Sequence, residues 1–83
     1  MLWKARVEVT LKSDHSDPEG ETTTRSLKEL GYRVERVEVS KMYALLLEAD
    51  SREDVEARLE EICRRLLANP NKDNYSFQVE EAR

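Results

Sequence analysis

Apolar and polar side chains alternate from Trp3 to Lys12, with Trp3, Ala5, Val7, Val9 and Leu11 on one face and Lys4, Arg6, Glu8, Thr10 and Lys12 on the other. Alternation of this kind predicts a half-buried strand. The polar run Ser13, Asp14, His15, Ser16 ends it. Asp17 followed by Pro18 then reads as an N-cap with proline at the first helical position. Leu27 and Leu30 give this first helix a thin apolar stripe, weakly extended by Thr23 and Thr24, and Gly31 supplies the left-handed residue that closes it. Val37 and Val39 alternate with Glu38 in an expected second strand that begins near Arg33 or Val34, where Val34 is out of phase. Ser40 and Lys41 are the expected turn.

The next strand, Met42 to Glu48, differs from the first. Tyr43, Leu45 and Leu47 form one face, while Met42, Ala44 and Leu46 make the other face apolar as well. Ser51 with Asp54 approximates a capping box. It opens a second helix in which Val55, Leu59, Ile62, Cys63, Leu66 and Leu67 share one stripe. Asn69 and Pro70 stop that helix, and Tyr75, Phe77 and Val79 alternate with Ser76, Gln78 and Glu80 in a final strand. The predicted order is β-α-β-β-α-β, an α+β antiparallel sheet with two helices on one face, as in ferredoxin-like folds. If helices cover one face, Met42, Ala44 and Leu46 need another cover. A symmetric second copy supplies it, so a homodimer or higher homo-oligomer with these residues at its interface is expected.

Length and composition narrow the function. The 83 residues hold one domain with a modest core. A single cysteine, Cys63, rules out a disulfide framework, and with a single histidine, His15, it falls short of the ligands a zinc site needs. The first residues, Met1 to Arg6, include no continuous apolar run, so neither a signal peptide nor a membrane span is expected and the cytoplasm is the default location. A net charge of -4 counts against a broad phosphate-binding surface and hence against nucleic acid as a partner.

The candidate chemistry is sparse. Ser13, Asp14, His15, Ser16 and Asp17 include the residue types of a nucleophilic triad, but such triads converge from separate segments, and five consecutive residues read as a solvated loop. Cys63 on the apolar stripe reads as a packing thiol. The helix start at Asp17 to Thr24 has one glycine and no Gly-Lys-Ser/Thr triplet, and Asp17, Glu19 and Glu21 would repel a phosphate. No catalytic residue, cofactor site or metal site is assigned. A binding function is therefore expected.

Several segments in order and at matching spacing resemble a known family: Val7-Glu8-Val9-Thr10-Leu11-Lys12, Asp17-Pro18-Glu19-Gly20, Leu27-Lys28-Glu29-Leu30-Gly31-Tyr32, Lys41 between strands, Cys63, and Leu66-Leu67-Ala68-Asn69-Pro70 with Tyr75 five positions later. The chain resembles the PurS-type small subunit of phosphoribosylformylglycinamidine (FGAM) synthase, nearly end to end. The resemblance implies a PurS-like fold in an intimate dimer and a non-catalytic accessory subunit of purine biosynthesis. That subunit bridges a glutaminase subunit and an ATP-dependent synthetase subunit and supports ammonia transfer between them. ATP, Mg and glutamine would be used by the complex, with no cofactor bound by this chain. Lys41, Asp17, Pro18, Gly20, Asn69 and Tyr75 are the implied partner-docking residues. The alternative from another class is a free-standing ferredoxin-like module for a small molecule or RNA, which the acidic Glu8, Glu38 and Glu48 disfavour.

Overall fold

The computed structural model describes residues 1–82. Its elements are β1 (Leu2–Leu11), α1 (Pro18–Glu29), β2 (Lys41–Glu48), α2 (Arg52–Ile62), a π-helical turn (Cys63–Leu67) and β3 (Asp73–Glu81). β1 lies between the other two strands and pairs antiparallel with each, giving the order β2-β1-β3. No helix among the described residues is long and apolar enough to cross a membrane.

The alternation read from the sequence sets the layers. Trp3, Ala5, Val7 and Val9 of β1 are buried, and the register sets Leu47, Leu45 and Tyr43 of β2 opposite the first three. Val79, Phe77 and Tyr75 of β3 stand opposite Ala5, Val7 and Val9 on the other side. Residues directly opposite share a face, so this side of the sheet is continuously apolar. Val55, Leu59, Cys63 and Ala68 complete the core over it. The other face carries Lys4, Arg6 and Glu8 on β1, with Met42, Ala44 and Leu46 on β2. Met42 and Leu46 are 56% and 64% exposed there, so the two-faced apolar pattern of this strand is present in the fold.

Local signals fix the helix ends. Asp17 caps α1, its side chain accepting the Gly20 N–H at 3.0 Å, and Pro18 follows as expected. At the other end Tyr32 N–H reaches Leu27 O at 3.1 Å and Gly31 N–H reaches Lys28 O at 3.0 Å, with Gly31 at φ +95°. This is the Schellman closure that glycine makes accessible. Ser51 Oγ accepts the Asp54 N–H at 3.1 Å, and Asp54 returns a carboxylate oxygen to the Asp50 N–H at 3.0 Å, one residue before the cap. The α+β class and the antiparallel sheet follow the expectation, but the helices contribute unequally: α2 supplies core residues, whereas the only buried residue of α1 is Gly20.

Two expectations are corrected. The segment expected as a second strand, from Arg33 or Val34 to Val39, forms no ladder, and three strands make the sheet instead of four. Its Val37 and Val39 N–H groups bond to the side chains of Thr24 and Asp17, so α1 takes the place of a neighbouring strand. The stripe of α2 also loses Leu66, which is 81% exposed. Cys63 to Leu67 form a π turn closed by Ala68 N–H to Cys63 O at 2.9 Å. A π turn spans five residues where an α turn spans four, so the core position after Cys63 falls to Ala68 and Leu66 rotates outward.

Candidate functional site

The Asp-Pro-x-Gly segment builds a clasp. One Asp17 oxygen caps α1, and the other accepts the Val39 N–H at 3.0 Å. One turn on, Thr24 accepts the Val37 N–H at 2.8 Å while donating its hydroxyl to Gly20 O at 2.7 Å. A Cβ at Gly20 would overlap both the Asp17 carboxylate and Val37 O. Glycine is needed here because the extended segment crosses directly over the helix. The Val39 and Gly20 N–H groups, in that order, hold the Asp17 carboxyl below its ordinary range.

Beside the clasp the sheet brings Lys41, Val9 and Tyr75 into one row across its three strands. Two positions further along the ladder Leu11 pairs with Asp73. The Asp73 side chain is only 8% exposed. It accepts the Asn69 N–H at 2.8 Å and lies 3.2 Å from Lys72 Nζ. The Asn69 N–H is the main cause holding this carboxyl low, and the charges of Lys72 and Lys41 act in the same direction. Asn69 also takes the Asp73 N–H on its carbonyl at 2.7 Å, which fixes the turn after Ala68. A small cavity of about 270 Å³ is bordered by Asp17, Pro18, Lys41, Leu67 and Asp73.

Of the six residues expected in docking, Asp17, Pro18 and Lys41 thus border one cavity, Gly20 supports it from the clasp, and Asn69 adjoins it through Asp73. Tyr75 differs. It stands in the Lys41 row, but its hydroxyl donates to Glu60 on α2 at 2.6 Å, and Glu60 pushes the phenol above its ordinary value. Thr24 and Asp73 were not singled out from the sequence. The spacing of Asp73 four residues after Asn69 is a weak signal for such a turn, whereas the grip of Thr24 on Val37 spans 13 residues and leaves none.

The polar loop carries no assembled nucleophile. His15 Nδ1 lies 3.1 Å from Asp14 Oδ1 at the surface, and the contact lowers the Asp14 carboxyl. Cys63 is fully buried, and burial, helped by Glu60, pushes its thiol upward. A buried, undissociated thiol is a poor nucleophile.

A family profile described as "PurS: Phosphoribosylformylglycinamidine (FGAM) synthase" matches residues 4–81. The chain belongs to the PurS family. Among PurS relatives, the phosphoribosylformylglycinamidine synthase subunit PurS of Archaeoglobus fulgidus is 44% identical over 74 residues, covering 88% of this chain and 92% of the relative. The Methanocaldococcus jannaschii subunit is 38% identical over 81 residues, covering 96% and 98%. Among solved structures, PurS of Thermus thermophilus superposes with a TM-score of 0.89 at 28% identity over the whole of both chains. A chain in the structure of PurLQS from Thermotoga maritima superposes at 0.88 with 31% identity, covering 96% of this chain and 99% of that one. The PurS fold therefore extends across nearly all of the sequence.

Proposed function

We propose that this chain is the non-catalytic accessory subunit of FGAM synthase in purine biosynthesis, bridging a glutaminase subunit and an ATP-dependent synthetase subunit. The observation that carries this reading is the near-complete match to a chain of the PurLQS structure, joined to the PurS family match over residues 4–81. Glutamine, ATP and Mg are used by the larger subunits in this reading, and the small subunit aligns their sites so that ammonia passes between them. Burial of the Cys63 thiol supports it, because the nucleophile for glutamine must then come from another chain.

In this reading Lys41 and the Asp17, Pro18, Gly20 segment form a docking surface with Asn69 and Tyr75 at its border. The exposed Met42, Ala44 and Leu46 meet a second copy of the chain. Reconstitution with the two larger subunits tests the assignment. Glutamine-dependent FGAM formation is expected only when this chain is present, and Lys41→Ala should lower the yield of complex while leaving the circular dichroism of the free chain unchanged. Equal glutamine-dependent turnover without the chain would overturn the accessory role, and normal complex yield with Lys41→Ala would reject Lys41 as a docking residue.

A further inference from the structure

A second concavity lies on the far side of the clasp. It measures about 480 Å³ and is walled by α1, the end of β1 and the segment 36–39. Leu11, Val37 and Val39 give it an apolar lining. Glu21, Arg25 and Lys28 of α1 project along one helix face at spacings of four and three, and Lys12, the residue after β1, joins them. Among the described residues Lys12, Arg25 and Lys28 form no ion pair, whereas the Arg36 guanidinium in the same lining is bonded to Glu38. The Asp17 carboxylate is occupied by two backbone N–H groups, which leaves Glu21 as the one carboxylate here with no ion pair or hydrogen bond among the described residues. Lys12, Arg25, Lys28 and Arg36 stand against Asp17, Glu21 and Glu38, so the groove holds an excess of one positive charge in a chain whose net charge is -4, and three of its four cations are unpaired among the described residues.

We infer that this groove docks an acidic segment of one of the larger subunits, with carboxylates on the Arg25–Lys28 rim and an apolar side chain against Leu11, Val37 and Val39. The inference rests on the accessory-subunit reading above and adds the chemistry of the partner. A small anion is a poorer fit. Recognition of a small anion needs several fixed donors converging on one point, while these cations sit at the ends of long side chains spread along an open trough. A second copy is also a poorer fit, since a groove on a two-fold axis would set cation against cation.

The test uses the folded chain with the two purified larger subunits. Arg25→Glu combined with Lys28→Glu alters two exposed side chains of α1 and should weaken capture about tenfold or more and flatten its dependence on salt. Glu21→Arg should tighten capture, a direction that general damage to the helix would not produce. Circular dichroism identical to wild type confirms the fold of each variant. Capture unchanged in both variants, with wild type binding normally, overturns the groove assignment. A shift in the sedimentation of the chain alone on the double replacement also overturns it, by identifying a second copy as the occupant. Failure of wild type to capture either subunit instead overturns the accessory reading itself, and the partner named here falls with it.

Discussion

Asp17 and Gly20 share one volume: the space a Cβ would fill at Gly20 holds the carboxylate of Asp17, which accepts the Gly20 N–H at 3.0 Å. The same absence lets Val37 O lie over the helix. The close approach at Gly20 accompanies the two hydrogen bonds, Val39 N–H to Asp17 and Val37 N–H to Thr24, that hold the start of α1 and the segment 37–39 together.

Replacing Gly20 by alanine sets two effects against each other. Alanine is favoured over glycine by about 0.5–1 kcal/mol in mid-helix, an upper bound for Gly20 in the first turn of α1. Overpacking against a backbone carbonyl, which cannot rotate away as a side-chain tip can, costs about 1–3 kcal/mol. Gly20→Ala should therefore be destabilising in urea denaturation, and hydrogen exchange should show the Val37 and Val39 amides losing protection. A variant more stable than wild type would contradict the close approach.

The Asp17 carboxyl gives the clasp a defined pH dependence. Its folded pKa lies below the ordinary value because the Val39 and Gly20 N–H groups favour the charged form. Its contribution is thus complete above the unfolded-state pKa and is lost as pH falls through the folded one. Exchange of the Val39 amide, corrected for intrinsic rate, should accelerate across that acidic window. Asp17→Asn retains one oxygen for two N–H groups, so it should show weaker protection at neutral pH and lose the acidic transition. A wild-type profile in the variant would remove Asp17 from the clasp.

Leu59 and Leu66 share a sequence stripe but differ in burial, at 0% and 81% exposure. Leu59→Ala should cost about 2–5 kcal/mol as a buried large-to-small replacement. Leu66→Ala should stay within about 0.5 kcal/mol in the isolated chain. Similar losses at the two positions in thermal or urea denaturation would mean that an ordinary α turn replaces the π turn in solution.

Leu45 and Leu46 make the corresponding test for the sheet. Leu45 packs against the core opposite Ala5, and Leu46 is on the open face opposite Lys4. Leu45→Arg should unfold the chain. Leu46→Arg should leave circular dichroism intact while weakening self-association, since burial of one leucine contributes about 1.5–3 kcal/mol. Light scattering across a concentration series measures this. A wild type that remains a folded monomer throughout refutes the self-association proposal.

What the sequence determined by itself were the features set by short-range chemistry. The alternation in β1 placed Trp3, Ala5, Val7 and Val9 on the buried side, and the caps at Asp17 and Ser51 and the closure at Gly31 were legible because each is completed within a few residues. Asp17, Pro18 and Lys41 were legible as docking candidates through family resemblance, but the cavity they share was not. Only the tertiary structure decided that Val37 and Val39 bond to α1 and not to another strand, because an extended segment takes its partners from whatever lies beside it, here residues 13 and 22 positions away. It likewise decided that the Asp73 side chain turns back to accept the Asn69 N–H and that Leu66 leaves the core at the π turn. The physical reason is one of range: periodicity and caps are local, whereas pairing, burial and helix register after a π turn depend on which surfaces meet.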